Sequence, residues 1–445
     1  MNKAATKAVS DISTSGWQDE TLWIVRSKRD RVSKEIPEWE ALRDAASAIK
    51  SYSNTHLPLL LEQFEQRATE NGAIVHWAAD AAEYREIIGS ILQENKVRKF
   101  VKSKSMLSEE CELRPYLESL GIETVETDLG ERIIQLMESR PSHIVLPAIH
   151  VKREQVAELF NAEMAAQMEE EARAEGLENA AAAGSDPTFL TRVARRNLRK
   201  KFLEADAAMT GANFAVASTG EVVVCTNEGN ADMGTSCAPL QIAAFGIDKI
   251  VPDRRSLGVF TRLLARSATG QAVTAYTTHY SAPKEGSRFH IIIVDNGRSR
   301  ILADAKHRKL LNCLRCGSCM NTCPVFRRIG GYAYSYFIPG PLGTNLGMTK
   351  EPERFKDNLS LCSLCHSCSF VCPAKVDLAE QIYAWRQDYH TSAVKRCVSG
   401  GMNTIMKHPS LFDAALKAGR PGMKALKAMG FSWGKGREFP DIKKK

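Results

Sequence analysis

A chain of 445 residues exceeds what one hydrophobic core comfortably fills, so two or three domains are expected. Hydrophobic content of 44% and charged content of 25% exclude a disordered or membrane-embedded chain, and no stretch reaches the ~18 uninterrupted apolar residues of a spanning helix. The net charge of +8 comes from patches, chiefly Arg192 to Lys201 and Lys443 to Lys445, which lack the interleaved aromatics or helix-turn-helix of a nucleic-acid surface.

The start, MNKAATKAVSDISTSGW, carries no apolar run of secretory length, so a cytoplasmic location is expected. A peripheral contact with anionic lipid at the inner face of the membrane, or with an acidic partner subunit, fits the basic excess better than nucleic acid does. Residues 1–70 read as a helical segment, with Trp39, Leu42, Ala45, Ala46 and Ile49 at spacings of three and four.

From residue 71 to 305 short apolar runs alternate with polar helical stretches. Strands are expected at Ala73–Trp77, Phe100–Val101, Thr124–Thr127, His143–Leu146, Glu221–Cys225 and His290–Val294, the texture of an α/β domain with a largely parallel sheet. Asn161 to Ala183 reads as one exposed helix ending near Gly184, and Asp186-Pro187 as the turn into the basic helix. Residues 306–392 are dominated by cysteine runs, and 393–445 read as basic helices and a tail.

Eight of the twelve cysteines lie in two runs, Cys313-x2-Cys316-x2-Cys319-x3-Cys323-Pro324 and Cys362-x2-Cys365-x2-Cys368-x3-Cys372-Pro373, offset by 49 residues. In a cytoplasmic chain such clustering points to metal rather than disulfides. Three thiolates two residues apart wrap three corners of a cubane, but the tight loop cannot also bring its fourth cysteine to the fourth iron, and in bacterial-type ferredoxin modules that cysteine serves the other cluster. Two [4Fe–4S] clusters follow, one on Cys313, Cys316, Cys319 and Cys372 and the other on Cys362, Cys365, Cys368 and Cys323. Two zinc sites are the alternative, but zinc favours separated Cys pairs over triplets with a Cys-Pro. Beyond the second run, Asp377 and Glu380 fit a capping box, and Leu378, Ile382, Trp385 and Tyr389 an apolar stripe. Cys111, Cys225, Cys237 and Cys397 stand alone and read as inert thiols. No nicotinamide or flavin fingerprint is present, since the only G-x-G is Gly434-Lys435-Gly436, and there is no P-loop.

The blocks Lys102-Ser103-Lys104-Ser105-Met106, Glu126-Thr127-Asp128-Leu129-Gly130-Glu131, Pro141-Ser142-His143-Ile144, Thr210-Gly211-Ala212-Asn213-Phe214 and Thr226-Asn227-Glu228-Gly229-Asn230 resemble the LUD domain of lactate-utilisation proteins. Joined to two ferredoxin runs, they resemble the lactate-utilisation protein B family, iron–sulfur subunits of bacterial L-lactate-oxidising complexes. The resemblance implies an α/β LUD domain similar to the sugar-isomerase and CoA-transferase fold, followed by an α-helical ferredoxin domain. It also implies two partners, a second cysteine-rich iron–sulfur subunit and a small LUD-domain protein.

The expected function is therefore an electron-transfer subunit serving oxidation of L-lactate to pyruvate, the substrate-oxidising centre lying on a partner chain. A redox-responsive ligand-binding or scaffold subunit, or a relay for another 2-hydroxy acid such as glycolate, are the alternatives. Within the α/β domain Lys102, Ser105, Ser108, Thr210 and Asn213 fall at strand ends, where open sheets bind ligands; helix caps and turns are the competing use of the same residues. His143 and His150 bracket an expected strand end and read as structural. No catalytic residue is assigned.

Overall fold

The computed structural model describes residues 12–389, 393–415 and 417. Among these residues ten strands form: β1 Ile74–Ala78, β2 Lys99–Lys102, β3 Glu123–Glu126, β4 Ala207–Gly211, β5 Phe214–Val216, β6 Glu221–Thr226, β7 Leu240–Gly246, β8 Ile250–Val251, β9 Tyr276–Tyr280 and β10 Arg288–Val294. Six of them make a parallel sheet in the order β1-β10-β7-β4-β2-β3, with Ile291 beside Ala243 and Ala243 beside Thr210 in register.

Alternation along the central strands feeds two cores, as the period of two in a strand requires. Ile242, Ala244, Ile292 and Val294 face Tyr84, Ile88, Phe100 and Leu117 on one side. Ala243, Phe245, Ile291 and Ile293 face Leu60, Leu61 and Phe64 of helix Leu57–Glu70 on the other, where Phe64 meets Phe245 edge to face at 5.1 Å. Burial of each such Phe or Ile stabilises the domain by about 1.5–3 kcal/mol before ordering costs.

The helices begin where sequence supplies a cap. Asp80, Ser105, Asp128, Asp186 and Asp253 each accept a backbone N–H from the first turn of the helix that follows. Asp186-Pro187 thus opens helix Pro187–Leu203 as expected.

Three expectations are corrected. Glu221–Cys225 is a strand, but it lies in a second, four-stranded sheet, β8-β5-β6-β9, where β6 pairs antiparallel with β5 and β9. His143–Leu146 is not a strand, because the His143 ring Nδ1 takes the backbone N–H groups of Val145 and Leu146 (both 3.1 Å) and withdraws them from any ladder. Asn161–Ala183 is not one exposed helix. Helices Arg153–Glu163 and Ala165–Ala174 and a 3-10 turn at Ala180–Ala183 bury Met164, Met168 and Ala172 against Phe189 and Val193 of the basic helix. Much of that helix's charge is used within the chain, Arg196 pairing with Glu170 at 3.0 Å and with Glu171, and Arg192 and Lys201 with Glu175 and Glu123.

The chain divides into two compact units, residues 1–384 and 385–445. In the first, the helices Ile12–Lys34 and Trp39–Thr55 pack on the cysteine runs. Arg43 donates to the carbonyl oxygens of Phe370 (2.8 Å) and Cys372 (2.9 Å), Arg29 to that of Val371 (3.2 Å), and Asn54 to Asn312 (2.8 Å). In helix Leu378–Tyr389, Leu378 and Ile382 are buried and Tyr389 is exposed. Asp377 pairs with Lys309 at 3.0 Å and Glu380 faces His366 at 3.6 Å. The second unit contains helix Ala393–Lys407, which exposes Val398, Met402 and Met406. Arg420-Pro421-Gly422 and the basic end of the tail lie outside the described residues. Among the described residues no helix is long and apolar enough to cross a membrane.

Candidate functional site

The two cysteine runs fold alike. Arg315 and Gly317 have left-handed backbones (φ +60° and +74°), and so do their counterparts 49 residues on, Leu364 and His366 (φ +55° and +59°). In these turns the N–H groups of Arg315 and Leu364 point at Cys313 Sγ and Cys362 Sγ (both 3.3 Å), and after each Cys-Pro those of Phe326 and Val376 point at Cys323 Sγ (3.4 Å) and Cys372 Sγ (3.2 Å). Thr322 and Ser367 join the two loops through their hydroxyls at 2.7 Å.

All eight thiols are free of disulfides. Burial pushes Cys316 and Cys368 up to about 12 and Cys323 and Cys372 up to about 11. Neighbouring sulfurs add to burial: Cys372 and Cys313 act on Cys316, Cys313 on Cys372, Cys362 and Cys365 on Cys323, and Cys313, Cys316, Cys368 and Cys372 on Cys319. Thiols so buried stay protonated at neutral pH when alone; a metal bound there would supply the charge that lets them ionise. Eight thiols in two runs, with N–H donors trained on sulfur, fit iron–sulfur ligation in donor type and in hydrogen bonding.

The loops differ in exposure. Cys316, Cys319 and Cys323 are buried, whereas the second run buries Cys368 and Cys372 but exposes Cys365 and, at 69%, Phe370. Cations approach cysteines of both runs. Arg29 acts on Cys316, Arg43 on Cys372, and the charge of Cys313 reaches Lys50 and Lys249.

A cavity of about 350 Å³ lies between this buried loop and the C-terminal ends of β2, β4 and β7. From β2 the chain moves outward to β3, and from β4 it moves the other way to β7, so adjacent strands diverge there, the crevice where open α/β sheets take ligands. Its walls include Ser105, Asn213, Asn230, Lys104, Lys249, Arg298, Arg315 and Cys316.

Under the cavity runs an ionic chain. Arg298 donates to Glu110 (2.8 Å) and to Asp248 (2.6 Å), Lys350 pairs with Glu110 (3.0 Å), and Arg315 lies 3.8 Å from Asp248. Burial would raise Glu110, but Arg298 and Lys350 overcome it and hold the carboxyl at about 2. Arg298 sits so close under Gly246 that a Cβ there would meet its Nε at 2.3 Å, which explains glycine at the end of β7. Opposite, burial and the charge of Asp128 push Glu228 up to about 7.

The candidate loop residues divide. Ser105 and Asn213 line the cavity, while Ser105 also caps helix Met106–Glu110 and Asn213 accepts the N–H of Cys225 (2.8 Å). Ser108 donates to the carbonyl of Ser105 (2.7 Å), and Thr210 accepts from Ser103 (2.9 Å). Lys102 is buried in an ion pair with Glu126 at 2.7 Å and lies 3.6 Å from Glu109. His143 is fully buried; burial takes it down to about 3, and its Nε2 sits 3.0 Å from Asn321 in the first cysteine loop. His150 contacts Tyr332 at 2.9 Å. Both histidines tie the α/β domain to the cysteine-bearing part. Lys249, Arg298 and Arg315 had no motif to single them out. The one signal was Arg315's place inside a cysteine triplet.

Residues 61–301 match the LUD domain family and residues 309–376 the 4Fe-4S dicluster domain family. The chain is 37% identical over 409 residues to the uncharacterized electron transport protein YkgF of Escherichia coli (strain K12), covering 89% of this chain and 82% of that protein. It is 36% identical over 407 residues to lactate utilization protein B of Shouchella clausii (strain KSM-K16), with coverage of 88% and 82%. It is 38% identical over 368 residues to lactate utilization protein B of Geobacillus thermodenitrificans (strain NG80-2), with coverage of 81% and 74%. With both domains matched in order and relatives aligned over most of their length, the chain belongs to the lactate utilization protein B family, as an iron–sulfur protein built on an LUD domain.

Proposed function

We propose that this protein is the electron-transfer subunit of a complex that oxidises L-lactate to pyruvate, holding two [4Fe–4S] clusters. One is held by Cys313, Cys316, Cys319 and Cys372, the other by Cys362, Cys365, Cys368 and Cys323. The two Cys-x2-Cys-x2-Cys-x3-Cys-Pro runs, folded alike 49 residues apart with backbone N–H groups aimed at Cys313, Cys323, Cys362 and Cys372, carry this reading. The relatives named for lactate utilization support the substrate.

Oxidising lactate to pyruvate removes two electrons and two protons, and a bound [4Fe–4S] cluster supplies one-electron storage. The chain's residues do the rest. Backbone N–H groups of Arg315, Leu364, Phe326 and Val376 stabilise negative sulfur, and Arg29, Arg43, Lys50 and Lys249 offset the charge of the buried loop. The exposed loop at Cys365 and Phe370 is the face presented to a redox partner, in keeping with the short distances electron transfer needs. The partners in this proposal are a second cysteine-rich iron–sulfur subunit and a small LUD-domain protein.

Replacing Cys319 or Cys368 by Ala in the complex tests it. Cluster assembly and lactate-dependent turnover are lost together on this account; turnover retained after cluster loss contradicts it.

A further inference from the structure

We propose that the exposed apolar face of helix Ala393–Lys407, together with the basic chain around it, binds the surface of an anionic lipid bilayer. This binding is independent of the electron-transfer reading, since it uses no cysteine of either run.

The helix carries its apolar side chains on one side. Val398, Met402 and Met406 recur every four residues and Ile405 lies on the same side, seven residues from Val398, while Asn403, Thr404 and Lys407 take the other. Val398 and Met402 are each 58% exposed and Met406 67%. Leu411 and Phe412, in the helical residues 409–415 that follow, are exposed as well. Five large apolar side chains exposed within fifteen residues of chain exceed the single, scattered ones that any surface shows. In mid-helix, a Cβ on Gly400 or Gly401 would meet nothing, so packing does not explain these glycines, and they weaken the helix by itself. A surface that takes up the apolar side stabilises it.

Charge selects that surface. Residues 393–445 carry twelve Lys and Arg against three Asp and Glu, a net +9, whereas the whole chain carries +8. The entire excess therefore lies in this stretch, and the first 392 residues are close to neutral. A second copy of the chain would bring the same +9 against the helix, which opposes self-association through it. The cations are also spread out, from Lys395 through Lys417 and Lys427 to Lys443, rather than gathered as a compact anion site would need. A laterally extended anionic surface with an apolar interior behind it meets both the spread charge and the apolar side of the helix. Among the described residues no helix is long and apolar enough to cross a membrane, so the contact lies along the bilayer surface.

The test is flotation of the full chain, purified anaerobically, with vesicles of phosphatidylcholine alone and of phosphatidylcholine containing about 30% phosphatidylglycerol, over a salt series. Wild type is compared with the pair Met402→Gln and Met406→Gln, which keeps charge and helix propensity, and with the pair Met402→Leu and Met406→Leu. Circular dichroism verifies that each variant is folded. The proposal expects wild type to bind the anionic vesicles at least roughly tenfold more tightly than the neutral ones, and to lose roughly tenfold between about 0.1 M and about 0.5 M salt. It expects the glutamine pair to bind the anionic vesicles roughly tenfold more weakly than wild type, and the leucine pair to match wild type. No binding to vesicles, or equal binding to neutral and anionic ones, overturns the proposal. Equal binding by the glutamine pair overturns the assignment to this helix. If wild type binds no vesicles while an acidic subunit of the native complex stays bound to wild type and is released from the glutamine pair, the face belongs to a protein partner and the proposal is wrong.

Discussion

Arg43, on the second N-terminal helix, donates through Nε and a terminal nitrogen to the carbonyl oxygen of Cys372, at 3.0 and 2.9 Å, across 329 residues of chain. The helical segment at the start of the chain thus clamps the turn after the second cysteine run. Replacing Arg43 by Met leaves the carbonyls of Phe370 and Cys372 without these donors. Hydrogen bonds from a charged group are worth about 1.5–3 kcal/mol, and we expect a stability loss of that order in denaturant titration, with reduced iron content. An unchanged midpoint would contradict the clamp.

Glu110, held at about 2 against an ordinary value of 4.5, gives the fold a defined acid limit. Its folded value lies below its unfolded one, so its contribution is fully present above pH ~4.5 and disappears as pH falls toward ~2. The shift corresponds to about 3 kcal/mol. Arg298→Met removes the cation shared by two buried carboxylates, leaving Glu110 to Lys350 and Asp248 to Arg315, at a cost of about 3 kcal/mol, and the acid-unfolding midpoint followed by circular dichroism moves to higher pH.

Glu131 behaves in the opposite sense. Burial raises it to about 8, with Lys104 only partly offsetting this, so the folded protein holds a proton that the unfolded chain releases near 4.5. Stability therefore falls as pH rises from ~4.5 through ~8. Glu131→Gln removes that slope, and the difference in urea midpoint between pH 5 and pH 8 shrinks; an unchanged difference would contradict the assignment.

The equivalent turns of the two loops make a matched pair of variants. At Gly317 (φ +74°) a Cβ would meet His143 Cε1 and Val145 Cγ2 at 3.0 Å, whereas His366 already occupies the same conformation at φ +59° with a side chain. Gly317→Ala is expected to cost about 1–2 kcal/mol from backbone strain alone, and His366→Gly to cost nothing or to gain about 1 kcal/mol. Thermal unfolding of the two variants decides it.

Crossed ligation is testable with serine. Cys323→Ser should lower iron from about eight to about four per chain, and adding Cys365→Ser should remove no more, since both serve the same cluster. If Cys323 served the first loop's cluster instead, the double variant would lose nearly all iron.

The sequence was most informative where chemistry or β-branching is concentrated. The cysteine runs announced their spacing, and β1, β2, β3, β6 and β10 showed as Val- and Ile-rich or aromatic runs. β4 (Ala-Ala-Met-Thr-Gly) and β7 (Leu-Gln-Ile-Ala-Ala-Phe-Gly) did not, because central strands covered on both faces by helices use small side chains that carry no strand signature. His143–Leu146 looked like a strand because its apolar run is genuine; what organises it is a buried histidine ring that only the tertiary structure brings into place. The cavity was hidden for a similar reason. Asp248 and Arg315 lie 67 residues apart in sequence and meet, at 3.8 Å, only in the ionic chain under β7.

The most direct test of electron transfer is electron paramagnetic resonance of the anaerobically purified native complex, recorded before and after L-lactate is added. The account predicts reduced [4Fe–4S] signals with L-lactate and none with D-lactate or glycolate. Signals that develop with dithionite but not with L-lactate would contradict the lactate relay while leaving the iron–sulfur protein in place.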